Sequence, residues 1–352
     1  MGMKKFAALF LSSVMALSLA ACGGGGNQGA STTPSAPSDN STKTEKASNY
    51  PEKPIIVVAP SGAGGGWDKT ARSLTKVLTE TKLIDKTMTV ENKPGGGGAV
   101  FMAEYATQDK NNPYKLFVNS PPILINSNKK EGNSPFGYQD TTPLAQLTRD
   151  YGALVVKADS PFQDLKSALD AIKADPSKVT VAGGSAPGSM DHLIAVLPAF
   201  EYGIDPKAVK YVSYDGGGEA MAALLGGNAD LIATDASSVG EYLKAGKIRV
   251  LAVTSNERLG GDLKDIPTTK EAGVEAEFTI WRGVFGPKEM PEEALAYWQE
   301  KLKALSENEA WKKELEANGW ASEYKNSEEF KTFLGEQDKQ INELLAALGM
   351  AK

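Results

Sequence analysis

Two rhythms of apolar residues recur along this chain. Ile55-Ile56-Val57-Val58-Ala59 is an unbroken, β-branched run, the mark of a buried strand. Pro60 to Gly66 breaks it as a loop. From Asp68 the spacing turns helical, with Ala71, Leu74, Val77 and Leu78 on one face. The same sequence of events repeats: strand Thr87 to Glu91, glycine loop 94–98, helix Val100 to Thr107, then strand Tyr114 to Asn119 before Ser120-Pro121-Pro122. Further on, Ala153 to Lys157, Lys178 to Ala182, Val209 to Val212, Ala229 to Ala233 and Lys247 to Ala252 read as strands. Helices are expected over Phe162 to Ala174, with Pro161 opening its first turn, Met190 to Tyr202 and Glu219 to Leu225. Strand, glycine loop and helix in repetition predict an α/β protein with a mainly parallel sheet.

The last third is helical. Leu295, Trp298, Leu302 and Leu305 form one stripe behind Pro291-Glu292-Glu293. Phe330, Phe333, Leu334, Ile341, Leu344, Leu345 and Leu348 form another. Both read as core.

The N-terminus follows neither rhythm. Lys4 and Lys5 precede an apolar stretch from Phe6 to Ala21, too short to span a bilayer and suited to a signal peptide over 1–21. It ends Leu19-Ala20-Ala21-Cys22, which resembles the bacterial lipobox, so Cys22 is the expected site of lipidation. The bland alternative is a chance cysteine after a secretory signal. Residues 22–49 then form a Gly/Ser/Thr-rich tether with too little apolar surface to fold, spanning roughly 30 Å. The folded body begins near Tyr50.

Composition narrows the chemistry. With 41% apolar and 23% charged residues in 352, the body is globular. A net charge of −6 and no basic patch argue against nucleic acid. One Cys and one His leave no disulfide framework and no Cys/His zinc site, and no metal or cofactor is expected. Of the 36 glycines, 14 fall in four loops, 61–67, 94–98, 183–189 and 215–218, each between a strand and a helix. Such a loop aims unpaired backbone N–H groups and a helix dipole at one point, an anion site without basic side chains. Any single loop is equally well a plain βα turn.

Enzyme motifs come close and fail. Trp67 replaces the third glycine of a dinucleotide fingerprint, and Asp68 stands where a P-loop needs glycine and would repel phosphate. The lone His192, with Ser185 or Ser189, is the only route to a serine triad, and a structural role suits it better. Binding is favoured over catalysis.

Several stretches together resemble one family. They are Ala59-Pro60 through Gly64-Gly65-Gly66-Trp67-Asp68 with Ala71-Arg72, then Glu91 through Gly98, and Gly188-Ser189 with His192-Leu193. Tyr214 with Gly216, Gly226 to Asp230, Gly246 to Val253, Ile266 to Gly273 and Trp281 to Pro287 follow in order. The chain is similar to the tripartite tricarboxylate transporter receptors, also called Bug-type extracytoplasmic solute receptors. The resemblance implies a type II periplasmic-binding-protein fold. Two α/β lobes joined by two crossover segments would enclose a ligand cleft, lobe 1 being 50–152 with 277–352 and lobe 2 being 153–276.

It further implies a lipid-anchored, non-enzymatic monomer on the outer face of the bacterial cytoplasmic membrane. This receptor would capture a di- or tricarboxylate such as citrate and deliver it to a membrane permease. A ligand-sensing partner of a membrane kinase is the alternative, and a secreted enzyme a more distant one. Carried over, the carboxylate ligands are Ser61, Gly64, Gly65, Gly66 and Trp67 with Gly96, Gly97, Gly98 and Ala99 of lobe 1, joined by Ser120. Lobe 2 would supply Ser185, Ser189, Asp191, Tyr214, Gly216 and Asp235. Two roles stay open. Trp67 would select a tricarboxylate or serve as a lid over any ligand. Asp191 would cap its helix or face a donor on the ligand.

Overall fold

The computed structural model describes residues 49–352 apart from 132, 133 and 215. The signal peptide, Cys22 and nearly all of the tether lie outside the described residues, as does Asp215 of the fourth glycine loop. The described body folds as one compact unit.

In chain order its elements are β1 (Ile55–Ala59), α1 (Gly66–Glu80), β2 (Met88–Asn92), α2 (Ala99–Gln108), β3 (Lys115–Asn119), α3 (Pro122–Asn128) and β4 (Thr141–Lys157). Next come α4 (Leu165–Ala174), β5 (Val181–Gly183), α5 (Met190–Glu201), β6 (Tyr211–Ser213), α6 (Gly217–Leu225), β7 (Leu231–Asp235), α7 (Gly240–Lys244) and β8 (Ile248–Val253). The chain closes with β9 (Thr279–Pro287), α8 (Glu292–Glu307), α9 (Glu309–Ala317), β10 (Ala321–Lys325) and α10 (Ser327–Ala347).

The strands run in the order β2-β1-β3-β9-β4-β7-β5-β6, with β10 and β8 also paired to β4. β4 is 17 residues long and changes partners along its length. Thr141 to Tyr151 pairs with β9, whereas Gly152 to Val155 pairs with β7 and Ala153 to Lys157 with β8. Gly152 stands at the changeover, where a Cβ would lie 2.5 Å from Ile194 Cγ2. Only glycine lets α5 pack this close to the strand.

The expectation of a mainly parallel sheet is corrected. Parallel pairing is confined to the flanks, β2-β1-β3 and β7-β5-β6. Every pair that involves β4 or β9 is antiparallel. The chain crosses on β4 and returns on β9, so these two strands run against their neighbours. The strand foreseen at 153–157 is only the end of β4, because Gln146, Thr148, Arg149 and Asp150 hide the rest in a polar run. The helix expected from Phe162 starts at Leu165 instead, because the Asp164 carboxylate accepts the Ser167 N–H (2.7 Å) and fixes the N-terminus there.

Apolar stripes did become core. Trp298, Leu302 and Leu305 of α8 are buried with Leu74 and Leu78 of α1 against Val57 and Leu116. Phe330, Leu334, Ile341 and Leu345 of α10 pack with Trp281 and Phe285 of β9 in a cluster that continues to Leu193 and Ile194 of α5. Among the described residues, no helix is long and apolar enough to cross a membrane.

Candidate functional site

The first glycine loop is shaped by the carboxylate that follows it. Asp68 turns inward and is buried. It accepts the Gly64 N–H (2.8 Å), the Arg72 Nε–H (3.0 Å) and the Asn92 amide (2.9 Å). Burial pushes its pKa up, but these donors outweigh that effect and hold the carboxyl below its usual range. Asn92 also donates to the Ser61 carbonyl (3.1 Å), so the end of β2 is tied to the loop. Gly65 and Gly66 then open α1.

Trp67 gathers three segments. Its indole N–H donates to Ser120 Oγ (2.8 Å), and its ring lies 3.4 Å from where a Cβ on Gly98 would stand. Gly95 to Gly98 all have positive φ, a run that L side chains rarely adopt. The Gly97 carbonyl accepts the Asn126 amide (2.9 Å), and Ala99 begins α2. Gly96 to Ala99, Trp67 and Ser120 therefore form one group.

A second group lies across β5 and β6. Asp191 is buried, and its Oδ2 accepts the Gly184 N–H (2.7 Å). It is the second residue of α5, and Ser189 occupies the N-cap position, so Asp191 clasps the neighbouring loop rather than capping its helix. Burial first, then the charge of Asp235, push its carboxyl up to about 7. Ser185 Oγ accepts the Asp191 N–H (2.9 Å), and the Ser185 carbonyl accepts the Tyr211 hydroxyl (2.8 Å). His192 Nδ1 accepts the Gly188 N–H (2.9 Å), and burial lowers its pKa to about 4, so the ring is neutral. These contacts give His192 a structural role. The Tyr214 N–H donates to the Gly183 carbonyl (2.9 Å), and Gly216 precedes α6. A Cβ on Gly184 would lie 2.1 Å from the Gly217 nitrogen, so the two loops touch through backbone.

A cavity of about 590 Å³ lies between the N-termini of α1 and α6. Gly64 and Gly66 at the start of α1 face it, as do Gly217 and Gly218 at the start of α6, with Thr234 and Asp235 at the end of β7. Lys69, Arg282 and Trp320 complete this part of the wall. Of the expected residues, Gly64, Gly66 and Asp235 line this cavity. Gly65, Trp67, Gly96 to Ala99 and Ser120 belong to the group around α1 and α2. Ser185, Ser189, Asp191, Tyr214 and Gly216 belong to the group around α5 and α6. Ser61 anchors the first loop.

Arg282 was not among the expected ligands. It sits on β9, is 3% exposed, and crosses the Trp320 ring at 5.3 Å. Its Nη2 lies 3.5 Å from Asp235 Oδ2 and packs against Gly66, where a Cβ would come within 2.7 Å. The signal was present: a lone cation in an otherwise apolar run, Thr279 to Pro287, whose residues are all buried. Two helix N-termini, a buried guanidinium and Lys69 converging on one polar cavity make an anion-binding arrangement.

Known proteins agree with this architecture. A family model described as the tripartite tricarboxylate transporter family receptor matches residues 71–350. The UPF0065 protein in the gbd 5' region of Cupriavidus necator is 28% identical over 310 residues, covering 87% of this chain and 91% of its own. The solved structure of the periplasmic binding protein BugD superposes with a TM-score of 0.73 at 26% identity, covering 86% of this chain and all of BugD. An R. palustris protein solved with adipate shares the fold, with a TM-score of 0.75 at 22% identity over 86% of this chain and 99% of its own. The fold is thus the two-lobed periplasmic-binding-protein architecture, and the chain belongs to the tripartite tricarboxylate transporter receptor family.

Proposed function

We propose that this receptor captures a di- or tricarboxylate in the cavity between α1, α6, β7 and β9 and hands it to the membrane permease of a tripartite tricarboxylate transporter. The observation that carries the ligand class is the convergence of the α1 and α6 N-termini on Arg282 and Lys69. Backbone N–H groups and a desolvated guanidinium suit a carboxylate, and the flexible charge of Lys69 suits a second one. Dicarboxylates also occupy proteins of the same fold: adipate in the R. palustris protein above, and malate in MatC of that organism.

The lobes are taken as 50–152 with 277–352, and 153–276. The change of partners on β4 at Tyr151 and Gly152 supports this division. Closure of the lobes would bring the expected loop residues on both sides toward the ligand. Cys22 would hold the body at the outer face of the cytoplasmic membrane, with 22–49 as leash.

Thermal melting and calorimetry with citrate, malate, adipate and a set of amino acids test the ligand class. Carboxylates should raise the melting temperature by mass action, and scattering should show a smaller radius of gyration. A response to amino acids alone would overturn the carboxylate assignment. Cys22→Ser should release the protein from membranes with its ligand affinity unchanged. Retention in the membrane would refute the anchor.

A further inference from the structure

More acid surrounds this cavity than a carboxylate site should tolerate. Asp150 on β4 is buried and accepts from Ser237 Oγ (2.6 Å) and from the Tyr151 N–H (2.8 Å). Asp235 at the end of β7 lies across from it and shares the same guanidinium, Arg282. Asp191 on α5 adds a third carboxyl, which feels the charge of Asp235. Against these stand Arg282 and, from α1, Lys69. Glu241, Lys244, Asp262 and Glu316 stand farther round the cavity.

Two atoms in this cluster are buried without a hydrogen-bond partner: Arg282 Nη1 and Asp235 Oδ1. A donor and an acceptor left without partners are costly, and such groups on residues that line a cavity mark a place a ligand completes. A ligand carboxylate entering the cavity would accept from the Arg282 guanidinium directly. It repels Asp235 while that group is ionised, and accepts a hydrogen bond from it once protonated.

We propose, building on the receptor reading above, that Arg282 contacts the captured anion directly and that Asp235 binds one proton as the anion arrives. The ligand carboxylate takes the place of Asp235 as partner of the guanidinium. The proton comes from solvent, converts the carboxylate of Asp235 to the acid, and lies between Asp235 and a ligand oxygen. Capture of a fully ionised dicarboxylate is then the uptake of an anion and a proton together. The environment is poised for this. Burial already raises the Asp235 carboxyl against the pull of Arg282 and Lys69, and burial with the charge of Asp235 raises Asp150 to about 6.

The test is calorimetry with malate and adipate, both fully ionised at pH 7, in buffers of differing ionisation enthalpy. The wild-type chain should take up close to one proton per ligand, and its affinity should fall up to tenfold per pH unit as pH rises. Asp235→Asn, which copies the neutral acid, should bind at least as tightly at pH 8 and lose the proton uptake. Arg282→Gln should lose at least a hundredfold in affinity, and Arg282→Lys should recover part of it, with melting curves confirming that each variant folds. Undiminished binding by folded Arg282→Gln or Arg282→Lys overturns the direct contact. Weaker binding or persistent uptake in Asp235→Asn overturns the proton step and makes ionised Asp235 a reader of a ligand donor. Failure of the wild-type chain to bind any carboxylate defeats the receptor's ligand class itself, which the variants' pattern cannot mimic.

Discussion

Asp191→Asn isolates the buried carboxyl that clasps the Gly184 loop. Folded, this carboxyl titrates near 7, whereas in the unfolded chain it titrates near 3.8. The folded state therefore holds the proton more tightly. Its contribution to stability is fully present below the unfolded value and is lost as pH rises through the folded one. At about 1.4 kcal/mol per tenfold change in proton affinity, the ionised form costs the fold about 4 kcal/mol once pH is well above 7. Asparagine keeps an oxygen for the Gly184 N–H and removes the charge. Urea unfolding at pH 4 and pH 8.5 reads the effect. The two proteins should be nearly equal at pH 4, and the variant more stable by a few kcal/mol at pH 8.5. If Asp191→Asn is no more stable at pH 8.5, the carboxylate is ionised and compensated in the native protein, and the burial argument fails.

Gly184→Ala drives a methyl group into the Gly217 backbone at 2.1 Å, where no side chain can yield. It should cost about 3 kcal/mol or more and weaken ligand binding, as melting and calorimetry would register. Trp67→Phe leaves Ser120 Oγ, itself buried, without its donor and should destabilise by about 1–3 kcal/mol. In a double-mutant cycle with Ser120→Ala, the double variant should lose less than the sum of the two, and full additivity would show that the bond contributes nothing.

The glycine loops, the α/β repetition and the C-terminal core stripes were legible because each depends on local spacing. Ile55 to Ala59 can only be a buried strand, and Leu295 to Leu305 can only bury one helical face. The family motifs likewise lie in short contiguous runs, which is why the receptor architecture could be named before any contact was known. What stayed hidden was everything fixed between distant segments. β9 pairs with β3 and β4, strands more than a hundred residues earlier, so nothing local announced its direction. Asp68 reads as a repulsive charge until Gly64, Arg72 and Asn92 surround it. Asp150, Asp235 and Arg282 lie far apart along the chain, and become one site only where β4, β7 and β9 meet. Local spacing determined the flanking strands, the glycine loops and the amphipathic helices, because periodicity and backbone freedom are local. Tertiary structure alone decided which charges share one guanidinium, because desolvation and Coulomb forces act through space and not along the chain.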